Sequence, residues 1–436
     1  MHSVHQRSTF NDMKIEDIDL SATEFWGQPL NHREEAFDLL RTQDPYRYFE
    51  IPEEITGMFP QKGFHSLVRH SDVAEASRRP NDFCSGQGAT SVVDLKGIEL
   101  FGEDMNSFFG SMISMDDPRH QKLRKIVSSG FTPRRLSAVE ESVQRIAEEI
   151  VRKVGDQGEC DFVVDVASRL PLLVICEMMG VPESQVDLVF DKSNVILGAG
   201  DDEYLPEGQD VLGAIMGAAL ELTALMNEML EERQDSPKDD LASALLHAEV
   251  DGERLTNMEI ASFFILLLVA GNETTRNALS WGLHLLTENP DQKETLWNDF
   301  ETLAPKAAEE IVRWSSPVIY MRRTATRDGV RIGEREFSEG DKVALYYWAA
   351  NRDPNIFEDP HKFDILRESK EHFGYGAPGP HFCLGAHLAR REITVMLREI
   401  CKSIPDIHAT TPPDRLLSNF INGIKHLPCS FTPAKI

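Results

Sequence analysis

The sequence predicts a mainly α-helical protein with small β-sheets, folded as one large domain over residues 1–436. Three observations carry that prediction. Long stretches between residues 136 and 250 repeat apolar residues at three- and four-residue spacing, the period of a helix with one buried face. The longest candidate helix, from Thr256 to Pro290, opens on a run that is apolar all round and so belongs in the interior. Strand and hairpin material follows the next helix, after Trp314, and no Ser/Gly-rich or Pro-rich linker divides the chain.

The totals set limits on partners. With 41% hydrophobic and 27% charged residues the chain has an ordinary globular composition. A formal net charge of −27 argues against a nucleic acid or an anionic membrane as partner of the surface as a whole. Six cysteines, at 84, 160, 176, 383, 401 and 429, form no CxxC pair, which fits a reducing compartment. The first 20 residues are polar, are expected to be flexible, and contain no apolar signal core or membrane anchor. A cytoplasmic location is expected.

Taken in order, HREEAFDLLRTQDP predicts an amphipathic helix ended by Pro45, and GFHSLVRHSDVAEASRRP a short strand running into a helix. The stretch from Asp82 to Ser114 keeps no period and is expected to be a loop covering a substrate. In DDPRHQKLRKIV, His120 and Arg124 stand four apart and share a helix face. Helices are predicted over 136–154, 161–181 and 211–233; the Gly- and acid-rich break at 196–210 is either a loop over a channel or a plain surface connection. Thr256 and Glu259 form a capping box for the long helix. Its 12-residue apolar run is too short to span a bilayer. In the middle of the helix stand Ala270, Gly271, Asn272, Glu273 and Thr274. A buried acid and hydroxyl are costly unless they bond something: either they satisfy backbone and water, or they handle protons. Glu310 and Arg313 stand one turn apart and can pair.

The stretch 373–385, FGYGAPGPHFCLG, places Cys383 just ahead of a predicted helix, where the helix N-terminus favours a thiolate. Gly379 and Gly385 flank the cysteine, and His381 lies two before it; a missing Cβ allows a flat group close to the backbone. Thiolate is the form that ligates iron.

Four patterns in this order and spacing, HxxxR at 120–124, AGNET at 270–274, ExxR at 310–313 and GxHxCxG at 379–385, together resemble the cytochrome P450 superfamily, in its soluble bacterial branch. The resemblance covers nearly the whole chain. It departs at one point: the aromatic that opens the family's cysteine loop lies seven or eight residues before the cysteine, whereas Phe373 lies ten before, Gly376 stands at seven, and Ala377-Pro378 is expected to bulge. Which aromatic packs under the haem is left open. The resemblance implies a triangular-prism fold with haem b (iron protoporphyrin IX) held between the long central helix and the cysteine-loop helix. It implies Cys383 as axial iron ligand, and His120, Arg124 and Arg323, with Arg322 the alternative to Arg323, on the haem propionates. His381, Ala270 and Gly271 would also line the haem. Glu273 and Thr274 would deliver protons for oxygen cleavage, and Arg367 would join Glu310 and Arg313 in a folding clamp.

The activity implied is a monooxygenase that hydroxylates an unactivated C–H bond of a hydrophobic small molecule. A peroxide-driven peroxygenase and a non-catalytic haem- or lipid-binding module are the other readings, both disfavoured by having Glu273 and Thr274 together. Since the chain contains no flavin or iron–sulfur segment, electrons would come from a ferredoxin and its reductase to a monomer. The run from Arg119 to Leu136 has six Lys/Arg and no Asp/Glu, an island that would attract an acidic ferredoxin. FFGSMISMDDPRH and GFTPRR look most like actinobacterial-type members that oxidise the terminal methyl of branched isoprenoid lipids and sterol side chains; terpene hydroxylation is the second choice. Phe263, Leu266, Leu267, Val318, Ile319 and Phe420 are candidate substrate contacts.

Overall fold

The computed structural model describes residues 13–51, 61–94, 99–100, 103–104, 112–130, 133–198, 201–249, 252–368 and 371–434. Most of the expected flexible N-terminus therefore lies outside the described residues, as does part of the expected substrate loop, at 95–98, 101–102 and 105–111.

The N-terminal third holds α1 (Leu30–Gln43), β1 (Tyr48–Phe49), β2 (Phe64–Leu67), α2 (His70–Arg78), β3 (Phe83–Cys84), α3 (Arg119–Gly130) and α4 (Pro133–Gly155). Then come β4 (Glu159–Asp161), α5 (Arg169–Met179), α6 (Val186–Gly198) and α7 (Val211–Asp235). The helix expected over 161–181 begins late. Residue 161 belongs to a strand ladder with the C-terminus, and its carboxylate accepts from the N–H groups of Val163 and Leu427. A π-helical turn, Val163–Ala167, intervenes before α5. The break at 196–210 is tied down: Asp201 and Glu203 pair with Lys425, Glu203 also bonds His426, and Asp210 caps α7 through the Gly213 N–H.

The long helix has the predicted capping box, with Thr256 Oγ1 accepting from Glu259 N–H at 3.2 Å and the Glu259 carboxylate accepting from Thr256 N–H at 2.8 Å. It is not continuous. α8 (Asn257–Leu267) gives way to a π-helical turn, Leu268–Asn272, and resumes as α9 (Glu273–Glu288). Such single π turns interrupt helices mostly where side chains do something other than pack. The two halves bury in different cores. Phe264 and Ile260 of α8 pack with Cys176 of α5 and Leu222 and Met226 of α7. Trp281 and Leu279 of α9 pack with Val143 of α4, Ile311 of α10 (Phe300–Ser315) and Met396 near the chain's end. Each such side chain contributes roughly 1.5–3 kcal/mol when fully buried, so the helix is held from both sides of the π turn. By length and composition alone, Val211–Asp235 and Asn257–Glu288 could each cross a membrane, but here about half of each apolar window, 44% and 50%, is buried within the protein.

The main sheet contains β5 (Tyr320–Ala325) and β6 (Lys342–Tyr346), in the order β1-β2-β6-β5-β3, with β2 and β6 parallel and the other pairs antiparallel. Its apolar face meets α1 through Trp26, Phe37 and Trp348. α11 (Ala386–Ser403) follows the cysteine loop. Next come β7 (His408–Ala409), β8 (Ile424–His426) and β9 (Pro428–Ser430); β9 lies between β7 and β4.

Candidate active site

Cys383 stands three residues before α11, whose N-cap is Gly385. The Cys383 N–H donates to the Tyr375 carbonyl at 3.0 Å, and the Gly385 N–H faces the sulfur. Of the six free cysteines it is the one exposed. Its thiol is nevertheless deeply surrounded, and burial raises its pKa against the pull of the Gly385 N–H, Arg124 and Arg390. Accessible surface together with deep burial is the mark of a group lining a recess rather than standing at the outer surface. The helix terminus alone does not secure the thiolate, as the sequence suggested; a cation facing the sulfur would.

Sequence reasoning passed over Tyr375. It stands eight residues before Cys383, inside the family's spacing, is buried, and has the Arg390 guanidinium 4.1 Å above its ring. Phe373 instead stacks on His70 at 4.0 Å. The loop is therefore not lengthened, and counting back from the cysteine was signal enough to find it. Gly379, at φ +153°, is explained by the Ser77 carbonyl, which a Cβ would meet at 2.3 Å. At Gly385 a Cβ would meet nothing within 4 Å.

Four basic groups converge beside the loop. The His120 and His381 rings lie 4.1 Å apart, and Arg124 Nη2 donates to the Phe382 carbonyl at 2.8 Å. Burial, Arg323, His120 and Arg124, in that order, push His381 down to about 3. His120 is lowered too, by burial and Arg124, with Asp117 at 3.6 Å opposing. Adjacent strand residues face opposite ways, and this separates the two arginine candidates. Arg322 donates to Asp94 at 2.6 Å, whereas Arg323 turns toward His381. Cations crowded together until one is forced neutral are a place for an anion, and haem carries two carboxylates. An accessible thiol ringed by this cluster fits haem b.

The central helix presents a matching face. Ala270 is exposed and Leu266, Leu267, Val269, Gly271 and Thr274 are partly so, in a stretch, 260–283, that is otherwise buried. Thr274 Oγ1 donates to the Ala270 carbonyl at 2.7 Å. Glu273, 1% exposed, accepts at Oε1 from Arg276 Nη2 at 2.6 Å and Asn277 Nδ2 at 2.8 Å. Arg276 and Asn277 were not singled out from the sequence, although one-turn spacing could have marked them. Gly271 is explained by packing, since a Cβ there would meet Ile175 Cδ1 at 2.9 Å.

Two of the candidate substrate contacts are core residues. Ile319 is 0% exposed beneath the main sheet and Phe263 6% exposed in the core of α5, α7 and α8. Leu266, Leu267, Val318 and Phe420 keep accessible surface. The basic run is acid-free in sequence but not in space. Arg119 pairs with Glu253 and Glu259, Lys122 with Glu253, and Arg134 and Arg135 with Asp239. The expected uncompensated island is thus largely neutralised by acids more than 100 positions away. Arg367 lies 3.3 Å from Glu310.

A thiol at a helix N-terminus, a cationic cluster and an interrupted central helix define the site of a haem-thiolate oxygenase. The chain belongs to the cytochrome P450 family. The family's profile matches residues 202–403. A methyl-branched lipid omega-hydroxylase of Mycobacterium tuberculosis is 43% identical over 424 residues, spanning 97% of this chain and 96% of that protein. A steroid C26-monooxygenase of Mycolicibacterium smegmatis is 38% identical, spanning 91% and 90%. The structure of a Mycobacterium marinum cytochrome P450 in complex with pseudoionone superposes with a TM-score of 0.88 at 36% identity, covering 96% of this chain and all of that one. The family is one of monooxygenases that use haem b, and its bacterial members generally take electrons from ferredoxin and reductase partners and bind hydrophobic substrates.

Proposed function

We propose that this protein hydroxylates the terminal methyl of a branched isoprenoid lipid or a sterol side chain. The observation that carries the proposal is the near full-length identity of 43% to a methyl-branched lipid omega-hydroxylase, supported by the 38% identity to a steroid C26-monooxygenase. When bound, haem b would supply the oxygen chemistry, in which O2 and two electrons give one oxygen atom to a C–H bond and the other to water.

The residues bind, orient and protonate. Cys383 would hold the iron, and the Gly385 N–H on its sulfur would steady the negative charge. His120, Arg124 and Arg323, with His381 among them, would hold the propionates. Ala270 and Gly271, which keep accessible surface, would line the haem. Leu266, Leu267, Val318 and Phe420 line an apolar approach that excludes water from the substrate's chain end. Thr274, whose hydroxyl sits on the Ala270 carbonyl, turns to orient a water at the oxygen side, and Glu273 passes protons to it from outside. A ferredoxin docks where Arg124 meets Phe382, whose side chain is 40% exposed one residue from Cys383. The protein works in the cytoplasm, as a monomer.

The test combines spectroscopy with reconstitution. The reduced protein with carbon monoxide shows the red-shifted Soret band of a thiolate-ligated haem, and Cys383→Ser abolishes it. Supplied with ferredoxin, reductase and nicotinamide, the wild type converts branched lipid or sterol to an ω-alcohol. Loss of the band from a variant at another cysteine overturns the ligand assignment; product from peroxide alone at the same rate overturns the monooxygenase reading; terpene products only would replace the substrate class.

A further inference from the structure

Two of the five other cysteines face one another. In the antiparallel ladder of β4 and β9, Cys160 is directly opposite Cys429, flanked by the pairs Asp161 with Pro428 and Glu159 with Ser430. The ladder bonds fix the kind of pair. Phe162 N–H donates to the Leu427 carbonyl at 3.0 Å and Phe431 N–H to the Gly158 carbonyl at 2.9 Å. Hydrogen-bonded pairs recur every second residue, so Cys160 and Cys429 form one. Opposed Cα atoms in such a pair lie about 5.5 Å apart with side chains on the same face, inside the range a disulfide spans without moving the backbone. Both thiols are free in this structure. Cys160 is partly accessible, whereas Cys429 is 3% exposed with its Sγ donating to the Leu427 carbonyl at 3.2 Å.

We propose that Cys160 and Cys429 are a peroxide-oxidised pair that closes into a cross-strand disulfide between β4 and β9. Hydrogen peroxide is the oxidant. The Cys160 thiolate, the accessible one, attacks a peroxide oxygen; the O–O bond breaks, one water leaves, and a sulfenic acid remains. The Cys429 sulfur then attacks Cys160, forming the S–S bond and releasing a second water. Two thiols lose two electrons and two protons, and one peroxide becomes two waters. Burial, with Asp165 and Asp161, holds the Cys160 thiol up at about 12, so closure is slow at neutral pH and quickens as pH rises. The proposal does not depend on the substrate or on the roles assigned to Glu273 and Thr274. Its structural effect is local: it fastens the last strand to the residue that leads into the π turn Val163–Ala167 and α5.

The experiment treats the full-length holoenzyme with hydrogen peroxide at pH 7 and at pH 9, blocks remaining thiols by alkylation, and maps peptides by mass without reductant. The expected result is a loss of about 2 Da confined to one linked pair of peptides carrying residues 160 and 429, formed roughly a hundredfold faster at pH 9, as the thiolate fraction of Cys160 rises, and reversed by dithiothreitol. Cys160→Ser and Cys429→Ser each remove the link, and the oxidised wild type melts several degrees higher than the reduced. The wild-type map decides the matter even if a variant fails to fold. Both residues alkylated after treatment, Cys160 carried on to sulfinic acid beside an alkylated Cys429, or either residue linked to Cys401 instead, would overturn the proposal.

Discussion

Two glutamate–arginine pairs with the same spacing sit in this molecule, and they differ in how completely they are bonded. Glu310 and Arg313 form a bidentate pair at 2.7 and 2.8 Å. Arg313 also donates to the carbonyls of Asn351, Pro360 and Lys362, and Glu310 accepts from the Asp364 N–H. Glu273 and Arg276 are equally buried, with Arg276 Nη2 2.5 Å from Glu273 Oε2 and Arg276 Nη1 donating to Asn194, but Arg276 Nε and both polar ends of Asn272 beside them find no hydrogen-bond partner among the described residues. Buried polar atoms end up bonded to protein or to water. A saturated pair has nothing left to exchange and serves as a clamp. An unsaturated one, one residue from Thr274, can bind and reorient water, as proton transfer requires.

Breaking the clamp has the largest expected effect. Glu310→Ala leaves the Arg313 charge buried without its partner and should cost about 3–5 kcal/mol; denaturant melts would show it, with haem lost during purification. Glu273→Gln keeps the shape and removes only the charge. It should lower the melting temperature less than Glu310→Ala does, because the amide oxygen still accepts from Arg276 and Asn277, while slowing oxygen-dependent turnover about tenfold or more and enlarging its solvent isotope effect. If Glu273→Gln unfolds the protein as Glu310→Ala does, the distinction between the two pairs fails.

A smaller effect lies at the outer edge, where His426 bonds Asp161 through Nδ1 at 2.5 Å and Glu203 through Nε2 at 2.8 Å. Both ring nitrogens can donate only in the protonated ring. Partial burial alone would lower its pKa, but Asp161 and Glu203 raise it above the ordinary value of 6.5. A raised histidine stabilises the fold fully below 6.5 and loses that contribution as pH climbs through the raised value. Wild type should thus melt on the order of one degree lower at pH 8.5 than at pH 6, relative to His426→Gln. Parallel pH profiles for the two proteins would remove the histidine from the account.

Much of this architecture was legible from local pattern. The capping box at Thr256 and Glu259 and the helix starting after Cys383 follow from short-range chemistry. What stayed hidden depends on residues far apart in sequence. Residues 159–161 became a strand because the chain's last strand lies beside them, and the basic run lost its bare charge to Glu253, Glu259 and Asp239. The π turn at Leu268–Asn272 left no mark in a run that is apolar all round. At the site, Cys383, Glu273 and Thr274 stood out as polar or reactive groups in the wrong surroundings. Ile319 and Phe263 did not announce themselves as core, because an apolar residue looks the same in a core as in a pocket.

If the polar break in the central helix guides protons to oxygen, Thr274→Ala uncouples oxygen consumption from product. The measurement is the ratio of hydroxylated product to reduced nicotinamide consumed, with hydrogen peroxide assayed in parallel. Thr274→Ala should bind substrate and accept electrons as wild type does, while most reducing equivalents appear as hydrogen peroxide and the ratio falls several-fold. If the Thr274 hydroxyl serves only the Ala270 carbonyl, the variant loses roughly 1 kcal/mol of stability. An unchanged ratio with no excess peroxide would contradict the claim.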